Sequence, residues 1–76
     1  MLPSQCRMAR AALGMGVREL AEAAKVSTNT ITRFEKGDEI LKSRTVDAIR
    51  LALEAAGVIF IDSNGNGPGV RLRDPS

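Results

Sequence analysis

The sequence predicts a mainly α fold: four short helices, closed at the C-terminal side by a β-hairpin. Three observations carry that expectation. Apolar residues recur at helical spacing in four segments between residues 4 and 56. Glycines and short polar residues fall at the joints between them, where helices start and stop. Past Gly57 the chain turns to β-branched and aromatic residues on either side of a Gly/Pro-rich stretch.

The first helix is expected over residues 4–13, SQCRMARAAL, with Ser4 as its N-cap and Gly14 as its terminator. Met8, Ala9, Ala12 and Leu13 supply its apolar side. The segment GMG breaks the chain. In VRELAEAA (17–24), Val17, Leu20, Ala21 and Ala24 fall at i, i+3, i+4 and i+7, so this is a short amphipathic helix with Arg18, Glu19 and Glu22 outward. Lys25 and Val26 leave no room for a loop between side-by-side antiparallel helices, and they force a sharp corner. Ser27 is placed to cap a third helix, 28–36, with Ile31 and Phe34 on one side and Gly37 as its stop. Residues 38–42 connect to a fourth helix, 44–56, capped by Ser43. Its stripe is Val46, Ile49 and Leu53, widened by Ala48, Leu51, Ala52 and Ala55.

The last segment reads as two strands, VIFID (58–62) and VRLR (70–73), around the loop SNGNGPG (63–69), with 74–76 as a tail. Both faces of VIFI are apolar: Val58 and Phe60 on one, Ile59 and Ile61 on the other. A two-stranded hairpin is marginal alone, and an apolar edge strand is a liability unless it is paired. One face can cover helices one and four, while the other calls for a partner. The expected organisation is therefore a core over 1–57 and a hairpin over 58–73. Val58, Ile59, Phe60, Ile61, Val70 and Leu72 are then candidates for a homodimer interface. The alternative is a monomer whose hairpin only caps the core.

Bulk composition narrows the classes. With 76 residues the chain is one small domain, expected to bury about 60–65% of its unfolded surface and to need support. Cys6 is the only cysteine and there is no histidine, so an internal disulfide and a zinc site are not expected, nor is any cofactor. That leaves self-association as support. Cys6 itself reads as a core residue. The lack of histidine and of convincing paired carboxylates argues against an enzyme. GNGPG is a turn, because no Lys-Ser/Thr follows as a phosphate-binding loop demands. No apolar run suits a signal peptide or a membrane span, so the expectation is a cytoplasmic protein without a membrane partner. Net charge is only +2, but residues 1–37 hold six basic and three acidic side chains, against five and six in 38–76. That asymmetry suits a basic face for nucleic acid, and an ordinary solvated surface explains it about as well.

Two short helices at a tight corner, the second opening on polar residues, form a helix-turn-helix pattern. The major groove of DNA admits one α-helix, and such a helix must touch its own core on one side only. The stretch LGMGVRELAEAAKVSTNTITRFEKG (13–37) resembles the helix-turn-helix of the phage Cro/C1-repressor family, also called the XRE family. Leu13, Gly14, Leu20, Ala21, Val26, Ser27, Thr30, Ile31, Thr32, Phe34, Glu35 and Gly37 match its pattern without a gap. With the flanking helices the resemblance covers about residues 4–57, and it implies a four-helix, lambda-repressor-like domain. The ending GVIFID…GPGVRLR replaces the fifth helix of many members and is similar to that of small bacterial regulators of the family.

The resemblance implies a set of roles. Thr28, Asn29, Thr32 and Arg33 sit where the family reads base edges. Asn suits adenine and Arg suits guanine. Thr30 sits where a hydroxyl meets phosphate, and Lys42, Arg44 and Thr45 match a second phosphate-contacting site. Arg10 and Glu35 match an ion pair that ties helix one to the end of helix three. Two positions depart from the pattern. Val17, behind Gly16, stands where a phosphate-gripping Gln is common, leaving the backbone there and Arg18 for that task. Lys25 stands where the turn usually has Gly. The implied partner is double-stranded DNA with a palindromic operator, bound by a homodimer. The competing reading is an antitoxin or anti-activator that uses the fold mainly to hold another, regulatory protein.

Overall fold

Among the described residues the computed structural model has four helices, α1 (Pro3–Leu13), α2 (Val17–Ala24), α3 (Thr28–Lys36) and α4 (Ser43–Ala55), followed by strands β1 (Val58–Ile61) and β2 (Gly69–Leu72). Residues 1–62 and 65–73 are described. Residues 63–64 of the expected loop and the tail 74–76 lie outside them. Strand β1 starts where expected and ends one residue sooner, β2 is shifted one residue toward the N-terminus, and the two pair antiparallel with Val58 opposite Leu72 and Phe60 opposite Val70.

Two of the three expected caps are corrected. Leu2, not Ser4, stands before α1 with extended φ/ψ of −90°/155°, and Pro3 takes the first helical position. Proline there has its φ preset and lacks an N–H that would need a partner. Gln5 then closes the start, its Oε1 accepting the Leu2 N–H at 2.8 Å. Ser43 is likewise the first residue of α4, and Lys42 is the extended residue before it. Ser27 does cap α3, its Oγ accepting the Thr30 N–H at 3.1 Å.

The first three helices end alike. After α1 the N–H of Gly14 bonds to Ala11 and that of Met15 to Arg10. After α2 Lys25 bonds to Glu22 and Val26 to Ala21. After α3 Gly37 bonds to Phe34 and Asp38 to Arg33. This paired closure satisfies carbonyls the helix leaves open, and it needs a left-handed residue after the last turn. Gly14 and Gly37 adopt that conformation freely. Lys25 adopts it too, at φ 60°, the one non-glycine with positive φ among the described residues.

Among the described residues the core is one cluster: Cys6, Ala9, Leu20, Ala21, Ala24, Ile31, Phe34, Ile49, Leu53 and Val58. Two apolar faces differ from expectation. On α1 the buried positions are Gln5, Cys6 and Ala9, whereas Met8 is 37% exposed and Ala12 is exposed. The reason is that α3 and the hairpin both approach α1 along the face of residues 5, 6 and 9. On α4, Ile49 and Leu53 are buried against α2 and β1, but Leu51 is 64% exposed on the far side. The hairpin lays Val58, Phe60, Val70 and Leu72 on this same core. Ile61 is exposed and Ile59 half-buried on its other face.

Candidate nucleic-acid interface

The corner between α2 and α3 is three residues long, Lys25 to Ser27. It is held by Leu20, Ala21 and Ala24 of α2 packing with Ile31 and Phe34 of α3 in the core. Ala21, 3% exposed, keeps the contact close. Helix α3 is consequently two-sided. Ile31, Phe34 and Glu35 are buried, while Thr28, Asn29 and Arg33 are exposed. Thr32 is half-buried, and its hydroxyl donates to the Thr28 carbonyl at 3.0 Å.

Glu35 is the polar member of the buried side. Its side chain is 7% exposed and forms a two-pronged pair with Arg10. Arg10 Nε donates to Oε2 and Nη2 to Oε1, both at 2.7 Å. The remaining prong, Nη1, donates to the Met15 carbonyl at 3.1 Å. One side chain of α1 thereby fixes both the entry to α2 and the last turn of α3. Paired, charge-assisted bonds of this geometry set direction as well as distance. The Cys6 thiol donates to Oε2 as well, at 3.1 Å.

The electrostatics follow from this burial. Desolvation works to raise the Glu35 carboxyl, but hydrogen bonds from Arg10 and Cys6 and the charge of Arg10 outweigh it and hold the group below its ordinary value. The hydrogen bond to Glu35 raises Arg10 further. Cys6 is pushed up to about 12, by burial first and then by the carboxylate it bonds. It remains a neutral donor at physiological pH.

The residues assigned to phosphate contact do not gather in one place. Thr30, Lys42 and Thr45 line one open groove, together with Ser27, Val26 and Glu39–Leu41, where the starts of α3 and α4 meet. Thr30 shares its hydroxyl with Ser27 Oγ at 2.8 Å. Arg44 is exposed on the first turn of α4, outside that groove. At α2, Arg18 is exposed and Val17 packs its side chain on the core, so that only the Val17 backbone is available. The Gly16 N–H is already taken by Glu19 Oε1 at 3.2 Å, which places a carboxylate where a phosphate grip was expected.

Of the six hairpin residues assigned to a dimer interface, Val58, Phe60, Val70 and Leu72 pack on the chain's own core, and Ile59 and Ile61 face away from it. Sequence reasoning missed Gln5. It is 4% exposed, and its Nε2 donates to the carbonyls of Ile61 at 3.2 Å and Gly69 at 3.1 Å. The local signal for its capping half was legible, a Gln two residues after a proline that starts a helix. Its second half was not. Among the described residues no group of three or more His, Cys, Asp or Glu could hold a metal ion. No helix among them is long and apolar enough to cross a membrane.

Two packed helices at a tight corner, with the second exposing a polar face, define a helix-turn-helix protein. The chain belongs to the helix-turn-helix domain family: residues 5–58 match the model of that family. DNA binding is the activity this architecture implies. A search of curated proteins finds none similar to the chain.

Proposed function

We propose that the chain is a sequence-specific, double-stranded-DNA-binding transcriptional regulator of the Cro/C1 type. It binds a palindromic operator as a homodimer, with α3 in the major groove. The observation that carries this reading is the two-sidedness of α3. Ile31, Phe34 and Glu35 anchor it, Arg10 holds its last turn, and Thr28, Asn29 and Arg33 are left free on the exposed side. Phosphate contacts from the Val17 backbone, Arg18, Thr30, Lys42, Arg44 and Thr45 set the register, and Thr28, Asn29, Thr32 and Arg33 read bases. A single α3 covers only a few base pairs, and two of them about 34 Å apart read two half-sites one helical turn apart. The outer hairpin face around Ile59 and Ile61 supplies the contact between copies. The mechanism is binding, without a catalytic step.

Selection of bound duplexes from a random pool tests the reading. The expected result is a palindromic motif, with salt-sensitive affinity. Asn29→Ala and Arg33→Ala should each relax matched positions in both half-sites, with a loss of about 1–3 kcal/mol of discrimination per contact. If no motif emerges, or both variants select the parental one, α3 is not the reader. The chain is then better understood as an antitoxin or anti-activator that holds a protein partner.

A further inference from the structure

We infer that Thr32 reads an A·T base pair by its methyl group and by accepting a hydrogen bond, and that it does not act as a donor. The inference rests on the base-reading role proposed above for α3, and it adds the chemistry of one contact. A threonine hydroxyl has one proton and two acceptor lone pairs. In Thr32 the proton is committed, because Oγ1 donates to the Thr28 carbonyl one turn earlier at 3.0 Å. This back-bond turns the oxygen toward the preceding turn of the helix, which gives the oxygen and the methyl defined places on the helix surface. What remains to face a ligand is an acceptor and a methyl.

The major-groove edges sort sharply against that pair of groups. Guanine shows only the acceptors N7 and O6, which an acceptor cannot satisfy. Cytosine shows an amino donor but no methyl. An A·T pair shows both an amino donor, on adenine N6, and a methyl, on thymine C5. Thr32 is half-buried and presents both groups from one small patch, and the A·T pair is the one that can satisfy both of them at a single position. Asn29, three residues earlier and exposed, stands on the adjacent part of the same helix surface, so an A·T pair at Thr32 lies next to the pair that Asn29 meets.

The test has two stages. Selected motifs for the parent, Thr32→Ser and Thr32→Val locate the base pair that Thr32 reads. Titrations then use duplexes whose thymine at that position is replaced by deoxyuridine, which removes the methyl alone. The parent should bind the thymine duplex about three- to fivefold more tightly than the deoxyuridine one, the worth of one buried methyl. Thr32→Val, which keeps the methyl and the branching, should retain that ratio, and Thr32→Ser should lose it. A G·C pair at the located position, or a Thr32→Ser ratio equal to the parent's, overturns the inference while leaving α3 as the reader. Absence of any motif for the parent overturns the reader role itself, and the two failures are thus distinguishable.

Discussion

Glu35 is a carboxylate on the packed side of a helix, and Arg10 and Cys6 are what make its burial tolerable. The two ends of the ion pair are not equivalent. Arg10 keeps 20% of its side-chain exposure and can turn to water, whereas Glu35 keeps 7%. Arg10→Met should therefore cost more, about 3–5 kcal/mol, because it leaves an uncompensated buried charge. Glu35→Gln should cost about 1–3 kcal/mol, as the amide keeps some of the hydrogen bonding. Denaturant titrations of both variants check that order, and equal losses would refute it. The pH dependence has a fixed sign. The Glu35 pKa is lowered in the fold, from an ordinary value of 4.5. Its contribution is fully present above the unfolded value and is lost as pH falls through the folded one. In Arg10→Met the deficit relative to the parent should shrink in acid, because protonation then relieves the stranded charge.

At the scale of the element, α1, α2 and α3 share one closing device, and α2 alone builds it on a side chain. The left-handed Lys25, φ 60° and ψ 44°, carries strain that glycine does not, offset in part by the extra freedom glycine gives the unfolded chain. Lys25→Gly should stabilise the chain by up to about 1 kcal/mol. In a domain this size that raises Tm by about 4–8 °C. A thermal melt checks it, and a lower Tm would mean that the lysine side chain contributes more than its backbone costs. The corner, the Ser27 cap and the Gly14 and Gly37 stops were legible in the sequence because each depends on chemistry within four residues of itself. The faces of α1 and α4 were less so. Met8, Ala12 and Leu51 are apolar at plausible spacing, and only the directions from which α3, β1 and β2 arrive decide that they lie outside. Gln5 was illegible as a hairpin anchor because its acceptors are 56 and 64 residues away. Of the candidate interface, the exposed Thr28, Asn29 and Arg33 were readable from the polar run after the cap. The Thr28–Thr32 bond needs the helix to be built.

For the whole molecule the hairpin is the part whose role divides. The Arg73 N–H bonds to the Gly57 carbonyl at 2.7 Å, and with antiparallel alternation this makes Ile59–Arg71 and Ile61–Gly69 the hydrogen-bonded pairs. The backbone groups of Val58 and Phe60 therefore turn away from β2. In the proposed dimer that edge, beside Ile59 and Ile61, is the contact between copies. The double variant Ile59→Lys/Ile61→Lys spares the inner face, so its helical circular dichroism should match the parent. Its sedimentation should move from dimer to monomer, and operator affinity should fall by about a hundredfold or more as the two half-sites uncouple. A parent that sediments as a monomer at every concentration, or a variant that remains dimeric, would sink the hairpin as the contact.

One amide group joins the two kinds of structure in this chain. Gln5 uses its oxygen to close the first turn of α1 and its nitrogen to hold the carbonyls of Ile61 and Gly69. Neither end can loosen privately. If the hairpin lifts, Gln5 loses two acceptors in a buried place. If the helix start unwinds, the hairpin loses its anchor. A side chain bonded at both ends thus converts two local fraying events, each cheap alone, into a single cooperative opening of helix and hairpin together.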